Sequence, residues 1–268
     1  MAESGFIAVN GAELYYEVAG TGYPLLLIHA GVADSRMWDA QVAALAPHYR
    51  TVRYDMRGFG QTRLSDGAFS YHEDVAAVLD HLGIERAHVV GISFGARVAL
   101  DFALAYPQRI AALVLGAPSV SGDTPSQRVQ RFMEEEEAAL AAGDLDGAVE
   151  LNLRLWVDGP QREPQEVDQD VRRLVGQMQR DAFLISEPEG MTLKPQPAAA
   201  LERLNEVTAP VLLITGALDL EEKNELAERM GRELPNAQHV TLGAAHMISL
   251  EQPEAFSAAL LSFLRDKV

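Results

Sequence analysis

The sequence predicts an α/β protein, a sheet with helices on both faces, and three observations predict it. Short apolar runs alternate with amphipathic helical stretches over residues 12–115. The alternation stops over residues 119–197, then resumes from residue 211 to the end. Residues 87–92, 93–105 and 110–115 read as strand, helix and strand, a spacing that implies a right-handed parallel crossover. A chain of 268 residues suits one such domain carrying an insertion, and can bury a core without covalent staples.

In chain order, residues 12–18 form a strand with Leu14, Tyr16 and Val18 on one face. Residues 24–28 are continuously apolar, as in a strand buried on both faces. Residues 38–45 have helical spacing, 49–54 read as a strand, and 71–82 form an amphipathic helix stopped by Gly83. Residues 119–197 contain no strand-like run. Helices are expected at 128–142, 146–156 and 167–183, punctuated by Gly159-Pro160, Pro164, Pro188, Pro195 and Pro197. The simplest reading is a helical lid, with Glu134 to Glu137 on its solvated face. A strand at 211–215, a helix at 222–234, a strand at 238–242 and a closing helix at 253–265 with Pro253 at its start complete the pattern.

Composition narrows the function. The net charge is −17, from 22 basic and 39 acidic side chains, which argues against nucleic-acid and anionic-membrane partners. The absence of cysteine excludes thiolate catalysis, disulfides and Cys-type metal sites. The first ten residues lack a secretory pattern and the longest apolar run is far short of a membrane span, so a cytoplasmic location is expected.

The chemistry is carried by Gly91-Ile92-Ser93-Phe94-Gly95, between a buried strand and a helix. Such a turn exposes the serine hydroxyl at the carboxyl end of the sheet and aims the Phe94 N–H at an attacked carbonyl oxygen. The bland alternative is that Ser93 caps the helix. A serine nucleophile needs a base. Of seven histidines, His246 lies in a loop after the last strand, facing the same crevice. His29 reads as a buried structural imidazole; His48, His72, His81, His88 and His239 read as surface residues. Asp219, after the strand at 211–215, suits the role of orienting His246, in the chain order Ser, acid, His. Glu221 and Glu222 fit better as first-turn acids of the next helix, and Asp123 is a weaker alternative. For a second oxyanion donor the backbone N–H of Gly31 comes first and Val32 second.

His29-Ala30-Gly31 with Trp38, Tyr54-Asp55-Met56-Arg57-Gly58-Phe59-Gly60, the Ser93 turn, residues 216–219 and residues 243–246 occur in one order. That set resembles the α/β-hydrolase superfamily, closest to its esterase, 3-oxoadipate enol-lactonase and cofactor-free haloperoxidase-like group. The resemblance spans nearly the whole chain outside the insertion. It implies the α/β-hydrolase fold, with an eight-stranded, mostly parallel sheet (residues 1–118 and 198–268) and a helical cap (119–197) after the sixth strand. It also implies a Ser93–His246–Asp219 triad. Many members carry His-Gly where this chain has His29-Ala30. Asp55 and Arg57 match a turn motif and read as structural.

The expected activity is hydrolysis of carboxylic esters or lactones through an acyl-enzyme on Ser93, with no metal and no cofactor. Carbon–carbon hydrolysis, perhydrolysis and non-catalytic ligand binding on the same fold stay open. Val32, Trp156, Phe183 and Met247 are the candidates for the substrate pocket, with Phe132, Met133, Leu155, Met178 and Met191 as further lining. Arg154 and Arg162 are candidates to meet a substrate carboxylate. A small-molecule substrate is the expected partner, and assembly into a homo-oligomer stays open.

Overall fold

The structure, a computed structural model, describes residues 3–194 and 199–267. Its strands are β1 (Glu3–Val9), β2 (Ala12–Ala19), β3 (Tyr23–Ile28), β4 (Tyr49–Tyr54), β5 (Arg63–Leu64), β6 (Gly67–Phe69), β7 (Ala87–Ile92), β8 (Ile110–Gly116), β9 (Met191–Leu193), β10 (Val211–Gly216) and β11 (Ala237–Leu242). Its α-helices are α1 (Asp39–Leu45), α2 (Tyr71–His81), α3 (Phe94–Ala105), α4 (Gln127–Ala141), α5 (Leu145–Asn152), α6 (Gln169–Phe183), α7 (Glu221–Glu233), α8 (Ile248–Glu251) and α9 (Pro253–Leu264).

The main sheet runs β1-β2-β4-β3-β7-β8-β10-β11, with β5 appended to β2. The β1–β2 and β2–β4 ladders are antiparallel; every ladder from β4 to β11 is parallel. Period-two alternation divides the apolar side chains of the central strands between two cores. Leu26, Val89, Leu113 and Leu213 face one, which α2, α3 and α7 cover with Val75, Leu79, Phe102 and Met230. Leu25, Leu27, Val90, Val114 and Leu212 face the other, which α1 and α9 cover with Leu45, Phe256 and Leu260. Burial on both faces explains why these strands are apolar throughout.

Several elements differ from the sequence reading. β1 was not anticipated; of its seven residues only Ile7 is buried, so this edge strand has a weak pattern. β6 and β9 pair in a separate two-stranded ladder, so the stretch 119–197 does contain a strand. Three residues are too few for a period to register. The helix expected at 146–156 is α-helical only to Asn152 and continues as a π-helical turn over Leu153–Asp158. The helix expected from Trp38 opens with a 3₁₀ turn, Ser35–Trp38, capped by Asp34, before α1. Pro195 and Pro197 lie outside the described residues, as does the expected boundary at 197/198.

The segment α4–α6 leaves the sheet after β8, the sixth strand of the eight-strand path. Val149, Leu153, Val157, Val175 and Met178 from this segment join the second core, whereas α4 buries no residue. Glu134, Glu135 and Glu137 are exposed as expected, but Glu136 is half-buried and accepts a hydrogen bond from Asn152. Among the described residues no helix is long and apolar enough to cross a membrane.

Candidate active site

β7 is buried along its whole length and ends in a turn whose central residue, Ser93, has φ 55° and ψ −115°. That conformation is costly for a residue with a Cβ and persists only where its surroundings enforce it. Here they do. A Cβ on Gly91 would lie 2.2 Å from the Gly95 oxygen, and one on Gly95 would lie 2.3 Å from the Ile28 oxygen. The Ser93 N–H donates to the Gly116 carbonyl of β8 at 2.8 Å. α3 starts at Phe94, and the Ser93 side chain makes no capping bond to it. Helix capping therefore does not occupy the hydroxyl.

The hydroxyl instead meets His246, with Ser93 Oγ 2.7 Å from Nε2. On the far side of the ring, Nδ1 is 2.7 Å from Asp219 Oδ2. A carboxylate only accepts, so Nδ1 carries the proton and Nε2 is left to accept from Ser93. The imidazole and the carboxylate side chains are each only 2% exposed, so water does not compete for these bonds. Asp219 is steadied by the Leu220 N–H on Oδ1 at 2.7 Å. Its loop lies tightly on the His246 loop: Leu218 N–H donates to the Ala244 carbonyl, and a Cβ on Gly216 would lie 2.2 Å from the Ala245 oxygen.

Beside Ser93, His29 is fully buried and bonded at both nitrogens. Its Nε2 accepts from the Met56 N–H at 2.9 Å, so Nδ1 donates to the Ala30 carbonyl at 2.8 Å. Burial pushes its pKa down, in keeping with this neutral form. The loop it supports brings Gly31 against Phe94: a Cβ there would lie 3.3 Å from the Phe94 Cβ. Among the described residues, no hydrogen bond engages the N–H groups of Gly31, Val32 or Phe94. Asp55 accepts from the Ser35 and Gln61 N–H groups, while Arg57 forms a buried two-pronged pair with Asp74 at 2.7 and 2.8 Å. Both are structural, and they do not pair with each other.

The pocket candidates separate. Trp156 lies over His246, ring centroids 4.6 Å apart and planes tilted by 41°, with Phe132 edge-on to it at 5.8 Å. Val32 is 9% exposed and Phe183 is half-buried against the second core. Met247 is fully enclosed in that core and presents no surface to a ligand. Met178 is likewise buried, whereas Met133 is exposed. Arg154 pairs with Asp158 and Glu163, and Arg162 pairs with Glu251, so both guanidinium groups are engaged within the protein. A cavity of about 900 Å³, lined among others by Ser126, Arg128, Pro160 and Glu222, reaches Asp219. A second, of about 620 Å³, is lined by Phe132, Leu155 and Arg154.

Of the competing residues, Glu221 begins α7 and Glu222 accepts from Ser126 Oγ at 2.6 Å, while Asp123 is exposed. Among the histidines read as superficial, His48, His81 and His239 are exposed and His72 is half-buried. His88 is a correction: it is fully buried, because its strand is central and both its faces are covered. Sequence reasoning missed Glu251, which accepts from the Ala245 N–H at 2.9 Å. Its only sequence signal was proximity to His246, which four intervening positions made uninformative.

Residues 23–253 match the family described as alpha/beta hydrolase fold. Among curated relatives, the 2-hydroxy-6-oxononadienedioate/2-hydroxy-6-oxononatrienedioate hydrolase of Paraburkholderia phymatum is 32% identical over 271 residues, covering 95% of this chain and 92% of that protein. The carboxylesterase YbfK of Bacillus subtilis is 28% identical over 251 residues, 90% of this chain and 79% of that protein. Among solved structures, the enol-lactonase of Burkholderia xenovorans LB400 superposes with a TM-score of 0.80 at 24% identity, covering 98% of this chain and 100% of that one.

Proposed function

Given that the chain belongs to the α/β-hydrolase family, we propose that it is a serine hydrolase that cleaves carboxylic esters or lactones through an acyl-enzyme on Ser93. The observation that carries this reading is the unbroken line Ser93–His246–Asp219, with 2.7 Å at each step and both partner side chains shut away from water.

The chemistry follows from that line. Ser93 Oγ attacks the carbonyl carbon while His246 Nε2 takes its proton. The negative charge on the substrate oxygen is met by the N–H of Phe94, at the start of α3, and by that of Gly31 or Val32. The intermediate collapses, His246 protonates the leaving alkoxide, and an ester remains on Ser93. A water then gives its proton to His246 and attacks that ester, and the proton returns to Ser93 as the acid leaves. Asp219 holds the ring in the needed tautomer and offsets the imidazolium charge at both stages.

The insertion 119–197 acts as a cap in this reading. Trp156, Val32 and Phe183 form the inner wall of the substrate site in this reading; the two cavities along the insertion reach Asp219 and Phe132 but are lined by neither Ser93 nor His246. The Paraburkholderia relative supports a second reading, cleavage of a carbon–carbon bond beside a ketone by the same triad. Arg154 and Arg162 pair within the protein, which removes both as partners for a substrate carboxylate, while Arg128 lines both cavities.

The test is turnover of p-nitrophenyl esters of increasing acyl length and of an enol-lactone by wild type and Ser93→Ala. The expected result is hydrolysis by wild type and a loss of about 10³-fold or more in the variant. Full activity in Ser93→Ala removes the nucleophile assignment. A folded wild type whose Ser93 resists a fluorophosphonate probe is a binding protein instead.

A further inference from the structure

The bonds that fix His246 from the insertion side form a closed circuit. Ala245, next to the base, donates its N–H to Glu251 Oε1 at 2.9 Å. The other oxygen of Glu251 accepts from Arg162 Nη1 at 2.6 Å, and the two side chains are 6% and 17% exposed. Arg162 turns its remaining donors on the end of the π-helical turn, Nη2 on the Val157 carbonyl and Nε on the Asp158 carbonyl, both at 2.8 Å. Those carbonyls end a helix and have no partner within it. The same turn carries Trp156, whose ring lies on His246 and closes the circuit.

Two further features tie this turn down. The Asp158 side chain is fully buried and accepts from Arg172 at 2.7 and 3.1 Å and from Arg154 at 3.4 Å. Gly159, with φ 75°, presses its backbone between the two loops of the candidate site: a Cβ there would lie 2.7 Å from the Leu218 oxygen and 3.0 Å from the Ala245 Cβ. The turn thus rests on the loop of Asp219 and on the loop of His246 at once.

We propose that Arg162, Glu251 and Trp156 are positioning residues that hold the His246 loop and ring in reactive alignment, so that the insertion sets the base as well as walling the pocket. This rests on the acyl-transfer reading above. Hydrogen bonds to Asp219 and Ser93 fix the imidazole along their own line but leave its tilt about that line free. The indole face removes that freedom, and it favours the imidazolium that forms when Ser93 gives up its proton. The Glu251 bond to Ala245 fixes the backbone from which the ring hangs.

The test combines steady-state hydrolysis of p-nitrophenyl butyrate with proton NMR of the far-downfield His246 Nδ1–H resonance, in wild type, Arg162→Met, Trp156→Leu and Trp156→Phe. Arg162→Met is expected to lower kcat about tenfold with KM within about twofold, and Trp156→Leu, which also alters the pocket wall, to lower kcat about tenfold. Both are expected to broaden the downfield resonance by exchange, and Trp156→Phe to restore most of both signals. A resonance unchanged in Arg162→Met and Trp156→Leu, or an effect on KM alone, overturns the proposal and leaves these residues as pocket wall. Should Arg162→Met fail to fold, the Trp156 pair decides by the same criteria. If wild type hydrolyses no ester, the acyl-transfer reading fails, while the resonance in the folded variants still decides whether the circuit holds the ring.

Discussion

Strand β7 carries His88 near its start and is followed by Ser93, and the two ends of the sheet treat an imidazole in opposite ways. Near its start, His88 is fully buried beside the rings of Tyr23 and Tyr49, at 4.8 and 5.8 Å, and neither ring nitrogen has a hydrogen-bond partner among the described residues. Burial, helped by the nearby Arg86 and Lys267, pushes its pKa down to about 4. Just beyond the other end, Ser93 meets His246, which is equally buried but bonded at both nitrogens. His29, at the same end, is also bonded at both. Burial alone makes a histidine a neutral packing group; burial with partners gives it a defined tautomer and a direction for its proton. The partners are at the carboxyl ends of the strands because the loops after β3, β7, β10 and β11 converge there.

The largest expected effect removes the partner that most separates His246 from His88. Asp219→Asn leaves a side chain of the same shape that no longer demands the proton on Nδ1. It is expected to lower kcat by about 10³–10⁴-fold in the ester assay. A loss below tenfold would break the comparison, since bonding at Nδ1 would then matter little.

The second effect concerns pH. The folded pKa of His88, about 4, lies below the unfolded value near 6.5, so between these values the unfolded chain binds more protons. The stability contributed by neutral His88 is full above pH 6.5 and is lost as the pH falls toward 4. Urea unfolding is expected to show wild type losing on the order of 2–3 kcal/mol relative to His88→Phe between pH 7 and pH 4. Parallel pH profiles for the two proteins would mean that the unpaired ring costs nothing to charge.

His29→Leu should lower stability by about 1–3 kcal/mol, because the Met56 N–H loses its partner inside the protein and the Ala30 carbonyl keeps only the Ala33 N–H. The same variant should also lower kcat, by loosening the loop that brings Gly31 to Phe94; an unchanged kcat would detach His29 from the site. The smallest effect sharpens the contrast: at pH 7, His88→Phe is expected to keep ester hydrolysis within about twofold of wild type, since the ring sits at the far end of β7.

How far the site was legible depends on the range of the forces that build it. Ser93, Asp219 and His246 could be picked out because each follows a strand signal at a short, fixed interval, and the parallel order sends all three loops to one edge. The central strands were legible for a related reason, their unbroken apolar runs. β1 and β9 were not, being an edge strand with a single buried side chain and a three-residue ladder made only by its partner β6. His88 was misread as superficial because the polarity of a side chain says nothing about the two strands that flank it. Arg162 looked free for a substrate because its acid, Glu251, lies 89 residues away and is named only by the fold, whereas Arg154 has Asp158 at i+4.

Residue order alone specifies the α/β architecture, the turn at Ser93 and the succession of the three polar groups, because backbone sterics and period-two burial act over a few residues. The alignment of those groups at 2.7 Å, the π-helical turn that brings Trp156 onto His246, and the circuit through Arg162 and Glu251 come from long-range packing. Those depend on the distance between side chains far apart in the chain, and distance across a packed core is set only when every layer has been laid down.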